Sequence, residues 1–170
     1  MGFLVHPTLE KDTIFVDRSN AIQIRLVDDV RFFWLMIIPE TTATELHELN
    51  EDIAGSLWKM TRHLGAALKT HCSAAKINTA AIGNMVPQLH VHIVARHNDD
   101  AAWPQTIWGR GDMQRLGETT KAVRLRSRVR QQRGRLRFAQ LKVVSFVEKR
   151  NSTFHRVCRC SGHELVEAFA

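Results

Sequence analysis

The chain has 170 residues, of which 44% are hydrophobic, enough for one domain with a buried core. Its net charge of +7 comes from residues 110–150, which carry 13 basic and 3 acidic side chains. Residues 1–109 carry 9 basic and 12 acidic side chains, so their charge does not indicate a nucleic-acid partner. The longest apolar run, residues 32–38, is too short to span a membrane. The spacing of the three cysteines does not match a disulfide framework, which predicts reduced thiols. The N-terminal residues lack the pattern of a secretion signal, so a cytoplasmic location is expected.

The first predicted elements are three strands. Residues 12–17 and 21–26 alternate apolar and polar side chains, as half-buried strands do, and the turn-like residues 18–20 between them predict an antiparallel hairpin. Residues 33–38 are apolar throughout, which favours a strand covered on both faces. This strand is therefore predicted at the centre of a sheet.

One long helix is predicted next. Asn50 is suited to cap its N-terminus, and Glu51 and Asp52 are favourable in the first turn. Apolar residues then recur at helical spacing until about residue 71. These apolar residues are Ile53, Leu57, Met60, Leu64 and Leu68.

Two further strands are predicted on either side of a turn. Residues 76–82 and 89–95 have strand character, and Pro87 between them prevents a helix from continuing. Strands and one long helix in this order predict an α+β fold around an antiparallel sheet. After residue 109 the sequence becomes arginine-rich without regular apolar spacing, so we expect a domain over residues 1–109 and a basic C-terminal extension over residues 110–170.

The last predicted strand carries a row of polar side chains. Because residues two apart share a face of a strand, Gln88, His90 and His92 should lie side by side while the residues between them point into the core. A His-x-His pair is also typical of a surface feature or of a zinc half-site. Zinc needs further ligands, and the nearby His97 would lie on the opposite face, so no metal site is expected.

Neutral imidazole groups held on a strand are suited to phosphate chemistry. A nucleophilic imidazole can displace a leaving group from phosphorus and form an intermediate that water then cleaves. A neighbouring imidazole can donate a hydrogen bond to a phosphate oxygen or pass a proton to the leaving group, and an amide such as Gln88 can fix orientation. Backbone amides around Gly83 and Asn84 are further candidates for a phosphate contact.

The order and spacing of these residues resemble the histidine-triad family over roughly residues 12–109. That family carries His-φ-His-φ-His-φ-φ, where φ is apolar, on its last core strand, after a glycine-containing turn and before an arginine. It also has a strand ending in Ile-Pro followed by a helix of about twenty residues. The matching segments here are Gly83-Asn84, Gln88-Leu-His90-Val-His92-Ile-Val94, Arg96 and Ile38-Pro39.

The resemblance implies a role for each matching position. His90, the middle residue of the motif, would be the nucleophile, and His92 would contact the phosphate. Asp28 lies where the family often places the acid that binds the ribose, and Asn78 and Asn84 are weaker candidates for phosphate or sugar contacts. The family typically forms a dimer in which two sheets join, so a histidine-triad-like fold and a homodimer are expected.

One departure from the motif is that Gln88 stands in place of the first histidine. The resemblance implies a nucleotide hydrolase or nucleotidyl transferase that acts at an α-phosphate through a nucleotidyl-histidine intermediate. Dinucleoside polyphosphates and nucleoside phosphoramidates are the implied substrates, with no cofactor beyond a divalent cation on the substrate phosphates. The missing histidine supports the alternative, a non-catalytic nucleotide-binding or interaction module.

The C-terminal extension offers two other hypotheses. Its arginines in residues 110–150 would attract nucleic acid, but they lack interleaved aromatic residues, so a solvated basic segment is favoured. A donor cluster over residues 155–163 has Cys-x-Cys rather than the usual Cys-x-x-Cys spacing, which disfavours zinc.

Overall fold

The computed structural model describes residues 2–115, and these residues contain five strands and two α-helices. The strands make one antiparallel sheet in the order β1-β2-β3-β5-β4. The α+β class is therefore confirmed. The elements are α1 (Pro7–Asp12), β1 (Thr13–Ser19), β2 (Ile22–Val27), β3 (Phe33–Pro39), the 3-10 turn Leu46–Glu48, α2 (Glu51–His71), β4 (Lys76–Ala80) and β5 (Val91–Arg96).

The predicted hairpin is formed by β1 and β2. Its two turn residues, Asn20 and Ala21, have φ angles of 50° and 55°. Two consecutive positive φ angles give a turn whose twist matches that of the flanking strands. The turn places Ser19 opposite Ile22, so the hairpin is confirmed. The prediction of a turn over residues 18–20 was wrong, because residues 18 and 19 belong to β1.

The third strand, β3, lies at the centre of the sheet, as predicted, with β2 on one side and β5 on the other. Leu35 and Ile37 belong to the core between the sheet and α2, whereas Met36 and Ile38 pack with the N-terminal segment on the other face. Both faces are covered, which explains why this strand is apolar without alternation.

The long helix α2 covers one face of the sheet. Its N-cap is Asn50, whose side-chain oxygen accepts a hydrogen bond from the Ile53 N–H at 3.0 Å. Leu57, Leu64 and Leu68 are buried in the core that α2 forms with the sheet. Burying each leucine contributes about 1.5–3 kcal/mol of stability. The predicted helix is confirmed at both ends.

The opposite face of the sheet is covered by the N-terminal segment and by the chain after β5. Phe3, Val5 and Leu9 pack on it from the first, and Ala102 and Ile107 from the second. The short helix α1 within the N-terminal segment was not predicted. Its sequence marks are a proline at the first helical position and His6 as N-cap.

The two strands on either side of the predicted turn are shorter than predicted, and in both the missing residues are those nearest the turn. The prediction of strand over residues 81–82 and 89–90 was wrong: β4 ends at Ala80 and β5 begins at Val91. Ala80 is paired with His92, so the chain before His92 has no β4 neighbour. On the other side the last pair between β3 and β5 is Ile37 with Val91, where β5 begins.

The residues that follow the predicted domain boundary continue on the surface of the sheet domain. The Val30 N–H donates to the carbonyl of Gln114 at 2.8 Å, and the Arg115 guanidinium pairs with Asp12 at 2.6 Å. The division at residue 109 stays a prediction. The arginine-rich residues 116–150 and the donor cluster at 155–163 lie outside the described residues. Within residues 2–115, no helix has the length and apolar content to cross a membrane.

Candidate functional site

Two histidine rings lie together on the face of the sheet that α2 does not cover. His92 belongs to β5, and His90 lies just before that strand. The ring centroids are 4.8 Å apart and the planes are nearly perpendicular, at 89°. The residues are only 7% and 5% exposed. The structure therefore brings the two central residues of the predicted site together, in a largely buried place.

The tautomer of His90 follows from its hydrogen bond. Its Nδ1 lies 2.7 Å from the carbonyl oxygen of Gln88. A carbonyl oxygen only accepts hydrogen bonds, so Nδ1 must carry the proton. In the neutral ring Nε2 then has a free electron pair. This is the form in which an imidazole acts as a nucleophile.

The tautomer of His92 is the opposite one. The indole Nε1 of Trp34 lies 3.0 Å from His92 Nδ1. An indole N–H only donates, so Nδ1 accepts and the proton of the neutral ring is on Nε2. Burial, and next the neighbouring His90, lower the pKa of His92 from 6.5 to about 3. His92 is thus a neutral hydrogen-bond donor at physiological pH.

Two tryptophans flank the His92 ring. Trp34 comes from β3 and Trp108 from the chain after β5, with centroids 5.2 Å and 5.6 Å from that of His92. The two indoles also meet edge to face, 6.2 Å apart. The Nε1 of Trp108 is buried and has no hydrogen-bond partner among residues 2–115. This aromatic wall keeps water from one side of the ring.

The side chain of Gln88 fastens the N-terminal segment beside the histidines. Its Oε1 accepts from the His6 N–H at 2.8 Å, and its Nε2 donates to the Leu4 carbonyl at 2.9 Å. Its backbone carbonyl holds His90. Gln88 thus contributes to orientation through its backbone, while its amide group is occupied by another part of the chain.

A surface cleft of about 590 Å³ opens beside Gln88. This volume is in the range of small-molecule sites. Neither histidine lines the cleft, but Gln88 borders it and also holds His90. The other lining residues are Gly2, Phe3, Leu4, Glu40, Thr41, Thr42 and Ala43.

Asn78 and Asp28, two of the residues predicted to contact the sugar or phosphate, each lie next to an arginine. Asn78 lies on β4 opposite Val94, and its Oδ1 accepts from Arg96 Nη1 at 2.7 Å. The carboxylate of Asp28 is buried and lies 3.4 Å from an Arg115 nitrogen. The substrate roles of both residues stay predictions.

The turn residues Gly83 and Asn84 lie in the loop between β4 and β5. Gly83 has a φ of +69°, a conformation that favours glycine. Asn84 is exposed. Their predicted contact with a phosphate is therefore not obstructed by burial, and it too stays a prediction. Within the described chain, no three His, Cys, Asp or Glu side chains are grouped to hold a metal ion.

Sequence reasoning missed two residues, one that bonds His92 and one that holds the end of β5. Trp34 was assigned only to a buried strand, although a buried indole N–H generally needs an acceptor and a histidine was available on a neighbouring strand. Asp100 was not singled out. It pairs with Arg96 at 2.6 Å, and both side chains are almost completely buried. An arginine at the end of an apolar strand followed four residues later by an aspartate was the available sign.

The depressed pKa of His92 should make the fold sensitive to acid. Because the folded protein keeps this ring neutral, unfolding below pH 6.5 is accompanied by proton uptake. The stabilising contribution is therefore fully present above about pH 6.5 and is lost as the pH falls toward 3, by at most about 1.4 kcal/mol per pH unit. Urea unfolding from pH 7 to about pH 4 should show a steeper loss for the wild type than for His92→Gln. Equal slopes would contradict the assignment.

Comparisons with known proteins place the chain in a family. The model of the HIT domain matches residues 10–99, more than half of the chain. No curated protein matches. A histidine triad protein of Sinorhizobium meliloti 1021 is 35% identical, with a TM-score of 0.68 over 71% of this chain and 90% of that one. A histidine triad protein of Bradyrhizobium japonicum is 32% identical, with a TM-score of 0.68 over 72% and 92%.

A third solved structure extends the likeness. The histidine triad protein of Marinobacter aquaeolei VT8 is 26% identical, with a TM-score of 0.71 over 88% of this chain and 98% of that one. The five-stranded antiparallel sheet with one long helix is thus the histidine-triad fold that the sequence motif predicted. The chain belongs to the histidine-triad family.

Proposed function

We propose that this protein is a nucleotide hydrolase or nucleotidyl transferase that uses His90 as its nucleophile at an α-phosphate. The observation that carries the proposal is the complementary pair of tautomers. His90 presents a free electron pair on Nε2, and His92, 4.8 Å away between centroids, has its proton on Nε2. One ring is prepared to attack and the other to donate a hydrogen bond.

In the proposed reaction His90 Nε2 attacks phosphorus. A P–N bond forms, and the bond between phosphorus and the leaving-group oxygen or nitrogen breaks, with its electron pair going to the leaving group. The imidazole becomes positively charged, and the Gln88 carbonyl stabilises that charge through the Nδ1 proton. Water or a second acceptor then attacks the same phosphorus and loses a proton to solvent, and the P–N bond breaks with its electron pair returning to His90 Nε2.

Of the two roles predicted for His92, we assign it the hydrogen bond to a phosphoryl oxygen. Its Nδ1 is occupied by Trp34, and a neutral imidazole holds its remaining proton too firmly to act as an acid. A donor fixed in this way stabilises charge that develops on the phosphoryl oxygens without having to reorient during the reaction. A polyphosphate leaving group departs as an anion and needs no proton, whereas the amine of a phosphoramidate would take its proton from solvent water.

The substrate class we propose is a dinucleoside polyphosphate or a nucleoside phosphoramidate. The cleft of about 590 Å³ has a volume suited to a nucleotide and borders Gln88, whose carbonyl holds His90, although neither histidine lines the cleft. Asp28 is retained as the proposed ribose contact and Asn84 as a proposed phosphate contact. A homodimer with joined sheets is also proposed, since β1 and β4 are the edge strands of the described sheet.

The burial of the two rings favours a second candidate, a non-catalytic nucleotide-binding or interaction module. With 7% of its surface exposed, His90 offers little area for contact with a phosphate. Gln88, which replaces the first histidine of the motif, uses its amide to hold residues 4 and 6. A module of this kind would bind nucleotides without a covalent step.

Trapping of the intermediate separates the two candidates. Wild-type protein mixed with a diadenosine polyphosphate labelled at the α-phosphate and quenched within milliseconds should carry label on His90. The linkage should be labile to acid and stable to base, as expected for a phosphoramidate, and peptide mapping would locate it. The matched variant His90→Asn should carry none. Nucleotide binding by the wild type without any adduct or product release would favour the non-catalytic module.

A further inference from the structure

Trp34 is the residue that determines which nitrogen of His92 carries the proton. It lies on β3 opposite Val94 of β5, so its side chain shares the face of His92. Its Nε1 is 3.0 Å from His92 Nδ1, and the two rings are tilted by 59° with centroids 5.2 Å apart. Both residues stand on paired strands of the rigid sheet.

We propose that Trp34 is a positioning residue for the reaction at phosphorus, whose N–H confines His92 to the form with its only proton on Nε2. While the indole donates to Nδ1, the other tautomer would place two hydrogens between the same two nitrogens. For the same reason Nδ1 cannot take up a proton, which would be the second proton of the ring, without breaking the hydrogen bond to Trp34. The inference rests on the proposed function insofar as the Nε2 proton is used on a phosphate.

Among the register partners and ring neighbours of His92, Trp34 is the residue that donates to its Nδ1. Met36 of β3 and Ala80 of β4 are its register partners, and neither side chain is a hydrogen-bond donor. His90 and Trp108 are the other rings in contact. The Nδ1 proton of His90 is already donated to the Gln88 carbonyl.

Substituting Trp34 with Phe tests the proposal, because the variant keeps an aromatic ring and removes the N–H. Long-range ¹H–¹⁵N spectra of histidine-labelled protein report the protonation of each ring nitrogen. In the wild type His92 should show an unprotonated Nδ1 and a protonated Nε2 from about pH 5 to 8. In Trp34→Phe we expect a mixture of tautomers, with imidazolium appearing toward the acidic end of that range.

Trp108→Phe is the matched control for the spectra. Trp108 also contacts the His92 ring, but its N–H bonds no described residue, so its loss should leave the tautomer of His92 unchanged. If Trp34→Phe fails to fold, benzothienylalanine at position 34 keeps the bicyclic shape and replaces the N–H by sulfur. An unchanged His92 pattern in a folded Trp34 variant would overturn the proposal, as would an equal change in Trp108→Phe.

The kinetic arm is separate from the spectra. Trp34→Phe should lower kcat by roughly tenfold with little change in KM. The reason is that the Nε2 proton of His92, which the variant no longer fixes, acts mainly on charge that develops in the transition state. If the wild type turns over no nucleotide, the proposed function fails, while the spectra still decide whether Trp34 sets the tautomer. If it does turn over and kcat is unchanged in the variant despite a changed tautomer, the positioning role is refuted.

Discussion

Replacing His90 with Asn is expected to lower kcat by about 10⁴-fold or more, since the amide has no nucleophilic nitrogen to form the bond to phosphorus. The Asn side chain still offers an N–H near the Gln88 carbonyl, which His90 now binds at 2.7 Å. The affinity for a nucleoside monophosphate should therefore change only a few-fold. Single-turnover kinetics measure the first quantity and calorimetry the second.

His63→Asn makes the same chemical change at an exposed position of α2 and is the matched control. Its kcat should equal that of the wild type within experimental error. If His90→Asn retained turnover within tenfold of the wild type, another residue would have to be the nucleophile. A loss of nucleotide affinity as large as the loss of kcat would instead mean that His90 serves binding alone.

The parts of the fold that could be predicted are those set by local patterns. The central strand could be recognised because a strand that is buried on both faces has no polar position. The helix α2 could be recognised because its N-cap residue and its apolar spacing both indicate a helix that begins after Asn50. The ends of β4 and β5 could not be predicted from the same patterns. They depend on which strands lie next to them, since β5 loses its β4 neighbour before His92 and its last pair with β3 is Val91 with Ile37.

The candidate site was predictable only in its central residues. His90 and His92 stand two apart, and the structure brings their rings together as the sequence indicated. Their tautomers could not be inferred, because they are set by a backbone carbonyl and by Trp34, 58 residues away along the chain. The hydrogen bonds of the Gln88 side chain could not be predicted either, since its partners, Leu4 and His6, lie more than 80 residues away in the N-terminal segment.

Replacing Arg96 with Met is expected to destabilise the fold by about 3–5 kcal/mol, because it leaves the buried carboxylate of Asp100 without its cation. Arg96 is 1% exposed and binds both carboxylate oxygens, at 2.6 and 2.9 Å, as well as Asn78. Burial acts to raise the pKa of Asp100, but hydrogen bonds from Arg96 and from two backbone N–H groups bring it below its ordinary value. Urea unfolding at pH 7 measures the loss.

The double variant Arg96→Met/Asp100→Asn separates the uncompensated charge from the lost packing. It removes the carboxylate as well as the guanidinium, so it should be more stable than Arg96→Met alone, and the difference should shrink at low pH, where Asp100 of the single variant is protonated. Because Asp100 also accepts from the N–H groups of His97 and Ala102, some loss should remain in both variants. A single variant that loses less than 1 kcal/mol, or a double variant that is no more stable, would show that the ion pair does not hold the end of β5.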